Sequence, residues 1–270
     1  MKKILLATSL VASTLLFATS HDVKVVEVTH LNTHAKVAPK KAHSTHWGYT
    51  GHEAPQYWGD INPKYKMCKE GVNQSPINIS KDITIKTSNL PKIGFEYYAD
   101  AKEVVNNGHA IQVNVDNYSS IDIDGKHFSL KQFHFHTPSE NQIDGKNFPL
   151  EAHFVHAAKD GSLAVIAVMF EDGKKNEIIN KIWNRMPKKA GTKVSCGLTA
   201  EMINALLPED KAYYRFDGSL TTPPCSEGVR WFVMKDYLQI SKDEVEEFLH
   251  TMHHPNNRPV QPVNARKVLQ

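Results

Sequence analysis

Gln132-Phe133-His134-Phe135-His136 alternates polar and aromatic side chains without a break. Successive side chains of a strand leave opposite faces, so His134 and His136 share one face while Phe133 and Phe135 share the other, buried one. Leu150-Glu151-Ala152-His153-Phe154-Val155-His156 repeats the rule, with Glu151, His153 and Val155 on one face and Ala152, Phe154 and His156 on the other. If the two strands are neighbours, His153 joins His134 and His136. Three neutral nitrogens with no thiolate leave the fourth tetrahedral position of zinc to water, the pattern of a catalytic rather than a structural site. Spacing alone argues only for a metal, since a lone strand histidine is as readily a core or surface residue. His156 faces the other way and is assigned a structural hydrogen bond.

Outward from these strands, short segments of alternating polarity are punctuated by Asn107-Gly108, Asp124-Gly125, Asp144-Gly145, Asp160-Gly161, Asp172-Gly173 and Asp217-Gly218. Asn-Gly and Asp-Gly supply the positive φ angles of tight hairpins. The pattern predicts a mainly β (α+β) single domain on a large, mostly antiparallel sheet. Three helices are expected at its periphery. Asn176 to Met186 aligns Ile178, Ile179, Ile182 and Trp183, and Thr199 to Leu207 aligns Met202, Ile203, Leu206 and Leu207. Ser241 to Met252 opens with Ser241 and carries Glu244 three residues on, a capping box.

The chain has 270 residues, enough for one substantial core. Met1-Lys2-Lys3 and the apolar run Ile4 to Ala18 read as a secretory signal over residues 1–20, followed by a flexible spacer over 21–45 and the folded domain over 46–270. The apolar run is too short to be preferred as a spanning helix, so no membrane insertion of the mature chain is expected. Removing the leader lowers the formal charge from +3 to +1, which offers no electrostatic case for nucleic acid. An exported location, periplasmic or secreted, permits oxidation of Cys68, Cys196 and Cys225 to one disulfide and one thiol, with three pairings open.

Ser139-Glu140-Asn141 together with Glu151-Ala152-His153-Phe154-Val155 resembles the signature of the α-class carbonic anhydrases. The likeness extends through His46-Trp47-Gly48-Tyr49, Asn73-Gln74-Ser75-Pro76-Ile77-Asn78-Ile79, Asn106-Asn107-Gly108-His109, Leu220-Thr221-Thr222-Pro223-Pro224 and Asn257-Arg258-Pro259-Val260-Gln261-Pro262. Thr137-Pro138, where animal members commonly carry tryptophan, and a short loop between the ligand strands resemble the bacterial, exported branch. The resemblance implies a large twisted sheet and a zinc lyase (carbonate dehydratase) that reversibly hydrates carbon dioxide to bicarbonate and a proton by attack of zinc-bound hydroxide.

By that resemblance His134, His136 and His153 hold Zn2+, with Gln132 orienting His134, Glu151 orienting His153 and a main-chain carbonyl near Asn257 orienting His136. Thr221 and Glu140 form the gate that admits an unprotonated oxygen. Val155, Val165, Leu220, Thr222, Val229 and Trp231 form the substrate pocket. His109 carries the proton outward, as a ring titrating near neutrality, through water ordered by Tyr49, Asn107 and Gln112. The bacterial relatives imply a Cys68–Cys225 bridge, leaving Cys196 either buried or joining two protomers, so a homodimer stays open. Esterase side activity, a non-catalytic module of the same fold and a metal buffer are the rival readings.

Overall fold

The computed structural model describes residues 46–116 and 118–270, so the expected leader and spacer lie outside the described residues. Among the described residues the chain builds a 13-stranded sheet and a separate two-stranded pair, Asn78–Ile79 with Gln142–Ile143. The centre of the large sheet is an antiparallel succession of Ala101–Asn106, Ile111–Val115, Lys126–His136, Leu150–Ala157 and Leu163–Asp172. Leu163–Asp172 then pairs parallel with Glu227–Met234, which pairs antiparallel with Tyr213–Ser219. Other parallel pairings join Leu163–Asp172 to Leu238–Ile240 and Val268–Leu269 to Thr84–Ile85. The parallel seam is what the turn signals do not announce. Asp-Gly marks a local hairpin, whereas parallel strands need a long crossover.

The seam explains the uninterrupted apolar run Leu163 to Phe170, because a strand covered on both faces has no polar side. Ala164, Ile166, Val168 and Phe170 join Phe133, Phe135 and Phe154 in one core; Val165, Ala167 and Met169 join Val229 and Trp231 in another. The helices pack on the first core. Glu177–Trp183 buries Ile179, Ile182 and Trp183, and Asn176 caps it by accepting from the amides of Ile178 and Ile179. Ala200–Asn204 buries Ile203. Lys242–Met252 buries Phe248 and Met252 behind the expected Ser241–Glu244 capping box. The one-turn elements between Gly51 and Glu70 show no period in the sequence; they are gathered round Trp58, whose indole donates to the carbonyls of Gly48 and Glu53.

The His134 strand contains a device that pattern reading does not reveal. Phe128 and Leu130 enter the first core, and so do Phe133 and Phe135, although strict alternation would separate the two pairs. The register shifts between Leu130 and Gln132, which face the adjacent residues His156 and Val155. Lys131 is therefore the extra residue of a β-bulge, a feature that re-aims side chains. It reverses the parity of the strand, so that Phe128 and Phe133 serve the same core while His134 and His136 reach the opposite face.

Deleting Lys131 restores one parity along the strand and must expose either Phe128 and Leu130 or Phe133 and Phe135. Two large apolar side chains leave the core, so stability should fall by about 3–6 kcal/mol. Urea unfolding of the deletion variant measures this, and a change below about 1 kcal/mol, less than the burial of one such side chain, would contradict the bulge's role.

Candidate metal centre

His134 faces His153 across the strand pair, and Glu151 faces His136. The three rings lie with centroids 5.0 Å (His134–His136), 5.4 Å (His134–His153) and 4.6 Å (His136–His153) apart. One ligand nitrogen from each falls within 4.8 Å of the others. What selects those nitrogens is the partner of the opposite ring nitrogen. His134 Nδ1 donates to Gln132 Oε1 at 2.8 Å, and His136 Nδ1 donates to the main-chain oxygen of Asn256 at 2.7 Å. His153 Nε2 stands 2.9 Å from Glu151 Oε1, at an angle outside that of a straight hydrogen bond. This leaves Nε2 of His134, Nε2 of His136 and Nδ1 of His153 for a common ligand. All three expected orienting groups are in place, the carbonyl being that of Asn256.

The donor set fits zinc. His136 Nε2 is buried without a hydrogen-bond partner, and burial holds the His134 and His136 rings below the ordinary histidine pKa, so both are neutral ligands at neutral pH.

Glu151 braces more than His153. Its Oε2 accepts from the amides of Glu140 (2.6 Å) and Asn141 (2.9 Å), and its Oε1 accepts from Asn141 Nδ2 (2.8 Å). Burial would raise its pKa, but His153 and these donors hold it below the ordinary value. The bracing sets Glu140 beside the histidines, with Oε2 3.5 Å from His136 Nε2 and 3.8 Å from His153 Nδ1. Burial pushes the Glu140 carboxyl up to about 7, against the pull of His153, the Arg258 amide and the Thr221 side chain. Thr221 comes close enough to lower that pKa without completing a hydrogen bond of ordinary geometry, since Glu140 Oε2 has no such partner. Glu140 Oε1 accepts from Arg258 N at 2.8 Å.

The expected apolar wall is brought together. Val165, Val229 and Trp231 are buried in one cluster with Val155 and Leu220 packed on it, and Val155, Val165 and Trp231 stand side by side across three strands. The edge of Trp231 meets His153, with ring centroids 4.9 Å apart. A cavity of about 130 Å³ opens over His134 and His136 and is lined by Thr222, Tyr49, Asn107, His109 and Gln112. Asn107 Nδ2 donates to Gln112 Oε1, and the buried Tyr49 hydroxyl has no protein partner.

His109 departs from one expectation. Its ring is stacked on Trp47, centroids 3.7 Å apart and 10° from parallel, with His46 at 5.2 Å. Burial lowers its pKa to about 4, helped by His46, so in this position the ring does not titrate near neutrality.

Cys68 and Cys225 are bridged across a separation of 157 residues, which stabilises the fold by up to about 5 kcal/mol through restriction of the unfolded chain. Cys196 is 3% exposed within the first core, and such a thiol offers no surface for joining protomers. Arg258 and Asn256 escape sequence reading. The Arg258 guanidinium, 2% exposed, donates to Gln74 Oε1 and to the carbonyls of Ser75 and Cys68, and lies over the Trp58 ring. The motif Asn257-Arg258-Pro259 is its only trace in the sequence.

Glu151→Gln should weaken zinc binding about 10- to 100-fold, the usual effect of losing an outer partner of a ligand histidine. Competition with a chromophoric chelator measures it, and an unchanged affinity would remove Glu151 from the metal centre.

The model of the eukaryotic-type carbonic anhydrase family matches residues 53–270. A carbonic anhydrase of Klebsiella pneumoniae is 47% identical over 234 residues, covering 86% of this chain and 94% of that one. A carbonic anhydrase of Neisseria gonorrhoeae is 47% identical over 227 residues, covering 84% and 88%. The solved structure of the alpha-carbonic anhydrase from Thermovibrio ammonificans, in complex with the inhibitor sulfanilamide, superposes with a TM-score of 0.80 at 48% identity, covering 84% of this chain and all of that one. Matched by the family model over most of its length and by relatives at 47–48% identity, the chain belongs to the eukaryotic-type, or alpha, carbonic anhydrase family of enzymes.

Proposed function

We propose that this chain is a zinc-dependent catalyst of the reversible hydration of carbon dioxide to bicarbonate and a proton. The observation that carries the reading is the convergence of His134 Nε2, His136 Nε2 and His153 Nδ1 beside an apolar wall. Zinc held by these nitrogens supplies a Lewis acid that makes water a nucleophile near neutral pH.

The chain's own residues do the remainder. A hydroxyl has one proton, so if Thr221 Oγ1 donates to Glu140 Oε2 it can only accept from the attacking water, and the water's lone pair is turned toward the substrate. Val155, Val165, Leu220, Val229 and Trp231 offer carbon dioxide a surface with no hydrogen-bonding group to satisfy, and Thr222 closes the side nearest His134 and His136. Tyr49, Asn107 and Gln112 present polar groups that order water between the centre and His109. His109 accepts the proton and releases it to buffer. Burial lowers the stacked ring to about 4, so it stands neutral at pH 7 with a ring nitrogen free to accept. The sign agrees: a depressed pKa favours the neutral stacked form at pH 7, and that stabilisation is lost as pH falls from about 6.5, the ordinary histidine value, toward 4. The Cys68–Cys225 bridge suits an oxidising compartment, and we place the chain in the periplasm or outside the cell, with residues 1–20 as its leader.

Stopped-flow hydration with metal analysis tests the reading: His153→Ala should lose both zinc and activity, and activity equal to wild type would end it. Val155→Tyr should retain zinc and lose most hydration by filling the wall; full activity there would displace the pocket. His109→Ala should lower turnover in weak buffer and recover with added imidazole, whereas indifference to buffer would exclude His109 as the relay.

A further inference from the structure

The Asn256 side chain is fully buried, and its hydrogen bonds run to main-chain groups rather than to Glu140 or Thr221. Its Nδ2 donates to the carbonyl oxygens of Phe135 (2.9 Å) and His109 (3.1 Å), and its Oδ1 accepts from the amide of Thr137 (2.9 Å). Both amide hydrogens and an acceptor are thereby used. These contacts fall where the sheet comes apart. The ladder between Ile111–Val115 and Lys126–His136 ends at Gln112 opposite His134, so Ile111 and Phe135, and after them Ala110 and His136, are not paired with each other. There the chain leaves the ladder for the Asn106–Ala110 turn, and Phe135 O and Thr137 N are left without a strand partner on that side. The carboxamide stands in for the missing peptide, engaging Phe135 and Thr137 as a neighbouring strand would, and its second hydrogen reaches His109 across the gap.

We propose that Asn256 is a positioning residue that holds the ligand His136 and the turn bearing His109 in one frame. The part concerning His109 rests on the reading of that residue as the proton relay. The Asn256 main chain already orients His136, so a shift of this residue moves the imidazole directly. The segment is itself anchored from the far side, where Arg258 N meets Glu140 and the guanidinium grips Gln74, Ser75 and Cys68.

Asn256→Asp keeps the acceptor for Thr137 and sets a carboxylate oxygen against two carbonyls. Zinc-loaded wild type, Asn256→Asp, His109→Ala and the double variant would be compared. Zinc release from Asn256→Asp to a chelator should be about tenfold faster, the lower end of the affinity loss usual for outer partners of ligand histidines, expressed in the off-rate. Its turnover in weak buffer should fall and return with imidazole. The double variant should be no slower in weak buffer than His109→Ala within about twofold, because residues acting through one another are not additive. Losses that multiply in the double variant, or a lowered melting temperature with unchanged zinc release, would overturn the proposal. If His109→Ala itself turns over normally in weak buffer, the relay reading falls and with it the His109 half of this proposal. Should Asn256→Asp not fold, Asn256→Ser, too short to bridge both carbonyls, takes its place in the same measurements.

Discussion

Everything at the centre depends on the antiparallel pairing of Lys126–His136 with Leu150–Ala157 in the register that sets His134 against His153. That register is held from the opposite face. Phe133, Phe135 and Phe154 are completely buried, and a one-residue slip of Lys126–His136 would turn Phe133 and Phe135 toward the histidine side, forfeiting roughly 3–6 kcal/mol of apolar burial. The imidazoles thus inherit their precision from phenyl groups on the opposite face of the sheet. The Lys131 bulge makes this arrangement compatible with the rest of the strand, where Phe128 and Leu130 enter the same core from the other parity.

On that frame a second set of constraints fixes chemistry rather than position. Each ring nitrogen facing away from the centre has its own oxygen, and the three oxygens differ in kind: a carboxamide, a carboxylate and a main-chain carbonyl. Two come from the ligand strands themselves, two residues before His134 and two before His153, so they cannot drift from the ring they orient. The third comes from Asn256, more than a hundred residues away, and its segment is secured by Arg258. Because Arg258 reaches the main chain of Cys68, the disulfide, Glu140 and His136 belong to one buried hydrogen-bonded region. Mechanical continuity between the metal centre and the N-terminal turns follows from this cation, whose pKa burial lowers to about 10.

Much of this was legible in the amino-acid sequence, and for a local reason. Period-two alternation needs only neighbouring residues, so the faces of Gln132–His136 and Leu150–His156, the capping box at Ser241 and the apolar stripes of the peripheral helices could be read directly. The family motifs then supplied roles for Glu140, Thr221 and His109 that no spacing rule would have assigned. The Gly51–Glu70 turns were silent because each spans a single turn and has no period.

What the sequence determined by itself is the chemistry on offer: which side chains can ligate, which orient them, and which faces must be buried. Three matters were decided only in the folded chain. The parallel seam beside Leu163–Asp172 arises from a long crossover that leaves no local mark. The parity change at Lys131 shows only when its neighbours Leu130 and Gln132 are paired with His156 and Val155. The stacked environment that holds His109 near 4 depends on Trp47, which lies 62 positions earlier. In each case the deciding contact is between residues far apart in the chain, and pairwise burial across such distances is a property of the tertiary structure.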